Sequence, residues 1–348
     1  MKKTLLATTA LVALGSVAAA PAIAQIQIKV GGYQEMDIGY VDAKNDKVSG
    51  VDINHDGEIF FSGKTTTDNG LTFGIDVQLE SQTSGDQIDE SFIFIEGSFG
   101  RINFGSENGA GYLMHYSGAP DVGIGHNSGD ISKWIAGTAF AEYTTSNSAR
   151  IDNDSEKITY FTPRFAGFQL GASYAPEARQ DNDAMPAGTP GVGQNIYSVA
   201  ANYNNKFGDF SLLASLGYTE IGKSNLANSD PKWYGAGMRV GYAGFTVGAA
   251  VSQLEDSGGN NELITWNTGV SYASGPMAAS VSYANGDFDS KIAGGVGDRD
   301  HQSVMLSGRY TLAPGVAARM SGVWSETDVN GGADIEGIAV VGGIRLNF

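Results

Sequence analysis

Oxygen-bearing side chains recur at alternate positions in Asp52-Ile53-Asn54-His55-Asp56-Gly57-Glu58-Ile59, with Gly at the sixth place and Ile at the eighth. This order resembles the opening of a calcium loop, where alternate oxygens and a sharp glycine turn wrap one cation. The twelfth place, which should hold a bidentate acid, is Gly63, and the segment runs on into a strand pattern. Asp52, Asn54 and Asp56 are thus candidates for a weak structural Ca2+ at most. Catalytic chemistry finds less support. His55, His115, His126 and His301 show no metal-ligand spacing. The pairs Gly109/Gly111, Gly123/Gly125 and Gly235/Gly237 lack the third glycine of a dinucleotide-binding turn. Gly171-Ala172-Ser173-Tyr174-Ala175 is similar to a nucleophile elbow but sits in an alternating stretch. With no Cys in the chain, thiolate metal sites, disulfides and a Cys nucleophile are excluded. The sequence predicts neither an enzyme nor a required cofactor.

The remaining chemistry is electrostatic. The 348 residues hold 21 bases and 38 acids, a net charge of −17, which argues against binding nucleic-acid phosphate. Lys29, Lys64, Arg101, Arg239, Arg309, Arg319 and Arg345 each stand out of phase with the apolar residues around them, a few residues from a tight turn or a terminus. Acids instead crowd into Ser106–Glu156, where Glu107, Asp121, Asp130, Glu142, Asp152, Asp154 and Glu156 face only Lys133 and Arg150. A wall of bases opposite an acidic segment would set up a transverse field that orients dipolar solutes and filters ions.

Elements able to hold these charges must present one polar face over a long span. Residues 1–24 read as an export signal: Lys2 and Lys3, an apolar run from Leu5 to Ala20, and Ala22-Ile23-Ala24 as the cleavage site. The chain after it, 25–348, alternates almost throughout. Ile26, Ile28, Val30, Met36, Ile38 and Tyr40 oppose Gln27, Lys29, Glu35 and Asp37, and Phe210, Leu212, Ala214 and Leu216 oppose Ser211 and Ser215. Period two with one apolar side is the mark of a half-buried strand. Tight turns at Asp68–Gly70, Ser98–Gly100, Phe165–Gly167, Asn204–Gly208, Ala243–Gly244, Ser274–Pro276 and Ala313–Gly315 interleave with longer polar connections. These connections are Asp42–Asp56, Gln82–Asp89, Ser106–Glu156, Glu177–Gln194, Glu220–Lys232, Glu255–Glu262, Asp287–Asp300 and Thr327–Glu336. Fifteen connections join sixteen strands. Short turns on one rim and long loops on the other predict an antiparallel transmembrane β-barrel. A secreted sandwich would have to hide its core behind one face only.

Three segments carry a family resemblance. They are Glu96-Gly97-Ser98-Phe99-Gly100-Arg101-Ile102-Asn103-Phe104-Gly105 before the 51-residue connection, Ile158-Thr159-Tyr160-Phe161-Thr162-Pro163 with Phe165–Tyr174, and the C-terminal Phe348. Together they resemble the sixteen-stranded general-diffusion porins of Gram-negative outer membranes. The resemblance implies a homotrimer in outer-membrane lipid and lipopolysaccharide, with one passive channel per subunit for small hydrophilic solutes and ions. It implies that Ser106–Glu156, the long third loop, folds into the lumen, making Asp121, Asp130 and Glu142 constriction acids opposite the basic wall. It also makes Phe348 part of the signal read by the barrel-insertion machinery. A channel preferring a sugar or an anion, and an adhesive barrel with a closed lumen, are the alternative readings. Phe92-Ile93-Phe94-Ile95 is apolar on both faces, which predicts that one face meets the loop or a subunit partner.

Overall fold

The computed structural model describes residues 26–44, 49–82, 87–118, 120–126, 130–135, 151–152, 154–180, 192–224, 230–255, 261–290 and 297–348. Sixteen strands close into one antiparallel barrel in which each strand pairs with its sequence neighbours and the first pairs with the last. They are β1 (Lys29–Lys44), β2 (Gly50–Thr66), β3 (Thr72–Glu80), β4 (Ile88–Gly97), β5 (Gly100–Ser106), β6 (Glu156–Phe161), β7 (Phe168–Glu177) and β8 (Gly193–Phe207). The second half comprises β9 (Phe210–Ser224), β10 (Lys232–Tyr242), β11 (Phe245–Glu255), β12 (Asn261–Ser274), β13 (Met277–Ser290), β14 (Arg299–Ala313), β15 (Val316–Val329) and β16 (Ile335–Asn347). Between β5 and β6 lie one turn of helix, α1 (Ala110–Leu113), and a 3-10 turn at Asp130–Trp134.

Alternation sorts each strand into two faces. On β14, Val304, Leu306 and Tyr310 are exposed while His301, Ser303, Met305 and Ser307 are buried. On β1, Met36, Ile38 and Tyr40 are exposed while Glu35 and Asp37 are buried. Exposed apolar and buried polar side chains invert the soluble pattern and suit a barrel with lipid outside. The described residues contain no helix long and apolar enough to cross a membrane.

Turn chemistry sets the short rim. Tyr242 pairs with Phe245 across a two-residue turn in which Ala243 and Gly244 have φ of 50° and 85°. Positive φ at both central positions matches the right-handed twist of the flanking strands. At the opposite rim the strands outrun their sequence pattern. Asp42–Asp56, expected as a loop, holds the end of β1 and the first seven residues of β2. Likewise β13 and β14 run to Ser290 and from Arg299, and β15 and β16 to Val329 and from Ile335. A spanning strand needs only ~9–11 residues. At the start of β2 the ladder still alternates, with Val51 and Ile53 exposed beside Tyr40 and Ile38, and Asp52 and Asn54 on the other face.

One seam closes the ring. Tyr33–Lys44 pairs with Glu336–Asn347, and beyond that ladder Phe348 N–H donates to the Gly32 carbonyl (3.0 Å) and Gly32 N–H to the Phe348 carbonyl (3.1 Å).

Candidate functional site

Described residues of the connection between β5 and β6 hydrogen-bond to the face of the barrel that carries the buried side chains. Ala110 N–H donates to Ser173 Oγ on β7 (2.8 Å), Gly111 N–H to Ser198 Oγ on β8 (2.7 Å), and Tyr116 N–H to Ser215 Oγ on β9 (2.8 Å). Val122 N–H donates to Ser280 Oγ on β13 (3.3 Å), and Ser321 Oγ on β15 donates to the Ile124 carbonyl (2.7 Å). Three of these serines are themselves paired with a hydroxyl on the next strand: Ser173 with Thr159 (2.9 Å), Ser198 with Thr219 (2.8 Å), Ser280 with Ser307 (2.6 Å). An irregular loop backbone leaves N–H groups unpaired, and these hydroxyls accept from them at little side-chain volume.

Apolar loop residues finish the attachment. Ile124, Ile131, Trp134 and Ile135 pack on Met305, Val323, Ala339 and Val341 of β14, β15 and β16. The Trp134 ring lies where a Cβ on Gly39 would sit, 2.5 Å from it, so β1 needs glycine there. His126, wholly buried, bonds Ser282 Oγ through Nδ1 (2.9 Å) and Ser303 Oγ through Nε2 (3.1 Å). Burial pushes its pKa down to about 4, so the ring is neutral, with one nitrogen donating and the other accepting. Burial, with help from the Arg239 charge, also brings His115 down to about 4. Burial raises Glu107, and raises Asp152 to about 6.

The seven inward bases fall into separate groups. Arg239 Nε donates to the Ser117 carbonyl (2.6 Å), and Arg319 donates to the Gly123 carbonyl and to Glu35, so these two hold loop backbone. Arg345 also reaches Glu35 (3.3 Å) and lies 3.7 Å above the Tyr33 ring. Arg101 is fixed by Asn103 (2.7 Å) and stacks 3.9 Å over Phe94. Lys29, Lys64 and Arg309 are exposed and make no side-chain hydrogen bond or ion pair among the described residues. Of the three acids, Asp121 acts electrostatically on Arg239, and Asp130 lies 3.8 Å from Lys133. Glu142 and the export segment 1–24 lie outside the described residues.

Asp52, Asn54 and Asp56 occupy one face of extended β2 rather than a loop. Alternate residues on a strand stand ~7 Å apart, too far to close around one cation. Asp56 is engaged instead by Tyr33 (3.3 Å), Gln82 (3.0 Å) and Lys133 (3.8 Å). These residues do not fit a calcium loop. Phe92 and Phe94 share the inward face, Phe92 buried and Phe94 beneath Arg101, while Ile93 faces outward.

Sequence reasoning missed the serines, His126 and Glu35. A signal existed. Ser280 with Ser282, Ser303 with Ser307, and Ser321 with Ser325 put small hydroxyls at inward phase, where an uncovered wall would carry longer polar groups.

Comparison with known proteins places this geometry. The profile of a family described as Gram-negative porin matches residues 7–330. The major outer membrane protein P.IB of Neisseria lactamica is 26% identical over 365 residues, covering 100% of both chains. In structure, the chain is similar to the outer membrane channel DcaP of Acinetobacter baumannii (TM-score 0.66, 14% identity, 95% of this chain and 100% of that one). It is also similar to OmpT of Vibrio cholerae in its trimer form (TM-score 0.65, 13% identity, 92% and 99%).

Proposed function

We propose how this channel sorts solutes from one established premise: the chain belongs to the Gram-negative porin family. It is an outer-membrane barrel, not an enzyme, and forms a passive water-filled path for small hydrophilic solutes and ions. On our reading the loop between β5 and β6 narrows that path. The observation supporting this is the run of hydrogen bonds from loop backbone to inward hydroxyls on β7, β8, β9, β13 and β15. A loop attached at so many points makes a fixed edge rather than a swinging lid.

Charge sets the ion preference. Removing Lys2 and Lys3 with the export signal leaves 19 bases against 38 acids, a charge of −19. Arg239 and Arg319 are committed to the loop, which leaves fewer free bases to oppose the acids. We read the channel as mildly cation-selective at low salt, fading as the screening length falls from ~30 Å at 0.01 M to ~3 Å at 1 M. Assembly as a homotrimer in lipid and lipopolysaccharide, with insertion guided by Phe348, belongs to the same proposal. OmpT of Vibrio cholerae, similar in fold, has a trimer form.

Planar-bilayer recording tests the reading. Deleting Tyr112–Ala139 should raise single-channel conductance, and the zero-current potential across a salt gradient should show cation preference at low salt only. Unchanged conductance in a folded deletion variant would refute the constriction.

A further inference from the structure

Under the start of the loop lies a recess of about 610 Å³, lined among the described residues by Glu96, Arg101, Leu113, Met114, Tyr116 and Phe161, with others. One of its charged groups, Arg101, is held in place without an ion pair among the described residues. Arg101 is held by Nε on Asn103 (2.7 Å), which in turn donates to Glu107 (2.6 Å), and its guanidinium rests on the Phe94 ring. It makes no other side-chain hydrogen bond among the described residues, so both terminal nitrogens remain available. A planar fork held by its inner nitrogen, with its outer edge free, is a ready dock for a carboxylate.

Glu96 is the direct cross-strand partner of Arg101. Opposite residues in an antiparallel pair have Cα atoms only ~4.5–5.5 Å apart, a separation at which Arg and Glu ordinarily join. Here they form no ion pair, and the Glu96 carboxylate is exposed with no hydrogen-bond partner among the described residues. The recess therefore offers a cation and an anion side by side, each with open valence. The lining also holds Glu107 and Arg164, which are engaged by Asn103 and by Gln169 and Asn202, and its apolar members are Leu113, Met114 and Phe161.

We propose that this recess is a low-affinity subsite for zwitterionic α-amino acids with apolar side chains. The carboxylate takes the free edge of Arg101, the ammonium takes Glu96, and the side chain lies against Leu113, Met114 and Phe161. The assignment rests on the channel being open. It adds to free diffusion a brief stop for one solute class, with no bond made or broken.

The test is leucine-dependent current through the purified channel in a planar bilayer, with three analogues at matched salt. These are 4-methylpentanoate (no ammonium), isoamylamine (no carboxylate) and glycine (no apolar body). Leucine should reduce conductance saturably, and each analogue should act about tenfold more weakly or less, the factor for losing a charge-assisted hydrogen bond or the apolar contact. R101Q should abolish saturation, and R101K should weaken block despite keeping the charge. E96Q should lower leucine to the level of 4-methylpentanoate. Steady conductance that leucine leaves unchanged, or equal block in wild type and R101Q, overturns the subsite and leaves the channel standing. Folded protein that conducts nothing overturns the channel reading itself.

Discussion

Arg239 and Arg309 occupy the same inward phase of their strands, yet one is a fastener and the other a free charge. Arg239 is bound to the Ser117 carbonyl, whereas Arg309 is exposed and unbonded. R309Q should therefore shift the zero-current potential toward cations without changing current noise. R239Q should loosen the loop by about 2 kcal/mol, the scale of a hydrogen bond to a charged group, and add low-frequency noise. Identical behaviour of the two variants would sink this division. His126 gives the loop a pH response. Its docked pKa, about 4, lies below the ordinary 6.5, so the undocked ring binds more protons as pH falls between those values. Docking is fully supported above pH ~6.5 and weakens toward pH 4, by on the order of 3 kcal/mol. Protease cleavage of the loop should rise over that window, and H126Q, which can still bond both serines, should reduce the rise, with the buried His115 contributing the remainder. A wild-type loop equally resistant at pH 7 and pH 4 would refute it.

At the scale of elements, the loop is held by serines that look expendable in the sequence. S198A, S215A and S280A each strand one loop N–H, at about 1–3 kcal/mol apiece if water cannot reach it. The triple variant should show a noisier, larger conductance while the barrel melts at its usual temperature. Wild-type noise in a verified triple variant would show that the hydrogen bonds do not hold the loop. The strands themselves were legible because lipid on one side and water on the other force period two, as on β9 with Phe210, Leu212 and Leu216 opposing Ser211 and Ser215. Strand ends were not, because the acids, Asn54 and glycines of Gly50–Gly57 read as a polar loop, although Val51 and Ile53 alternate with them on the outward face. Phase told which way a base points but not what it meets, so Arg239 and Arg309 read alike. The hydroxyl contacts were hidden for a similar reason: a serine has the same periodicity whether a loop or water covers it.

For the whole molecule, twelve residue pairs of β1 with β16 close the ring, and Gly32 with Phe348 adds one more. Phe348 exchanges two backbone hydrogen bonds with Gly32, and its ring lies 3.1 Å from where a Gly32 Cβ would be. F348S should lower the yield of folded, heat-modifiable barrel severalfold, as should G32A, whose Cβ would also meet the Glu58 carbonyl at 2.2 Å. Undiminished yield in both would separate the terminus from assembly. The ring topology has a kinetic side. Every strand pairing except β1 with β16 joins sequence neighbours, so hairpins can form early and locally. The remaining pairing brings together residues at opposite ends of the strand order, and its chain-entropy penalty is on the order of 5 kcal/mol for an unstructured chain of this length. Until β16 pairs with β1, the growing sheet carries two bare edges at once, each able to capture another copy. Ring closure is thus the step at which a sticky open ribbon becomes an inert cylinder, and anything that delays it trades folding for aggregation.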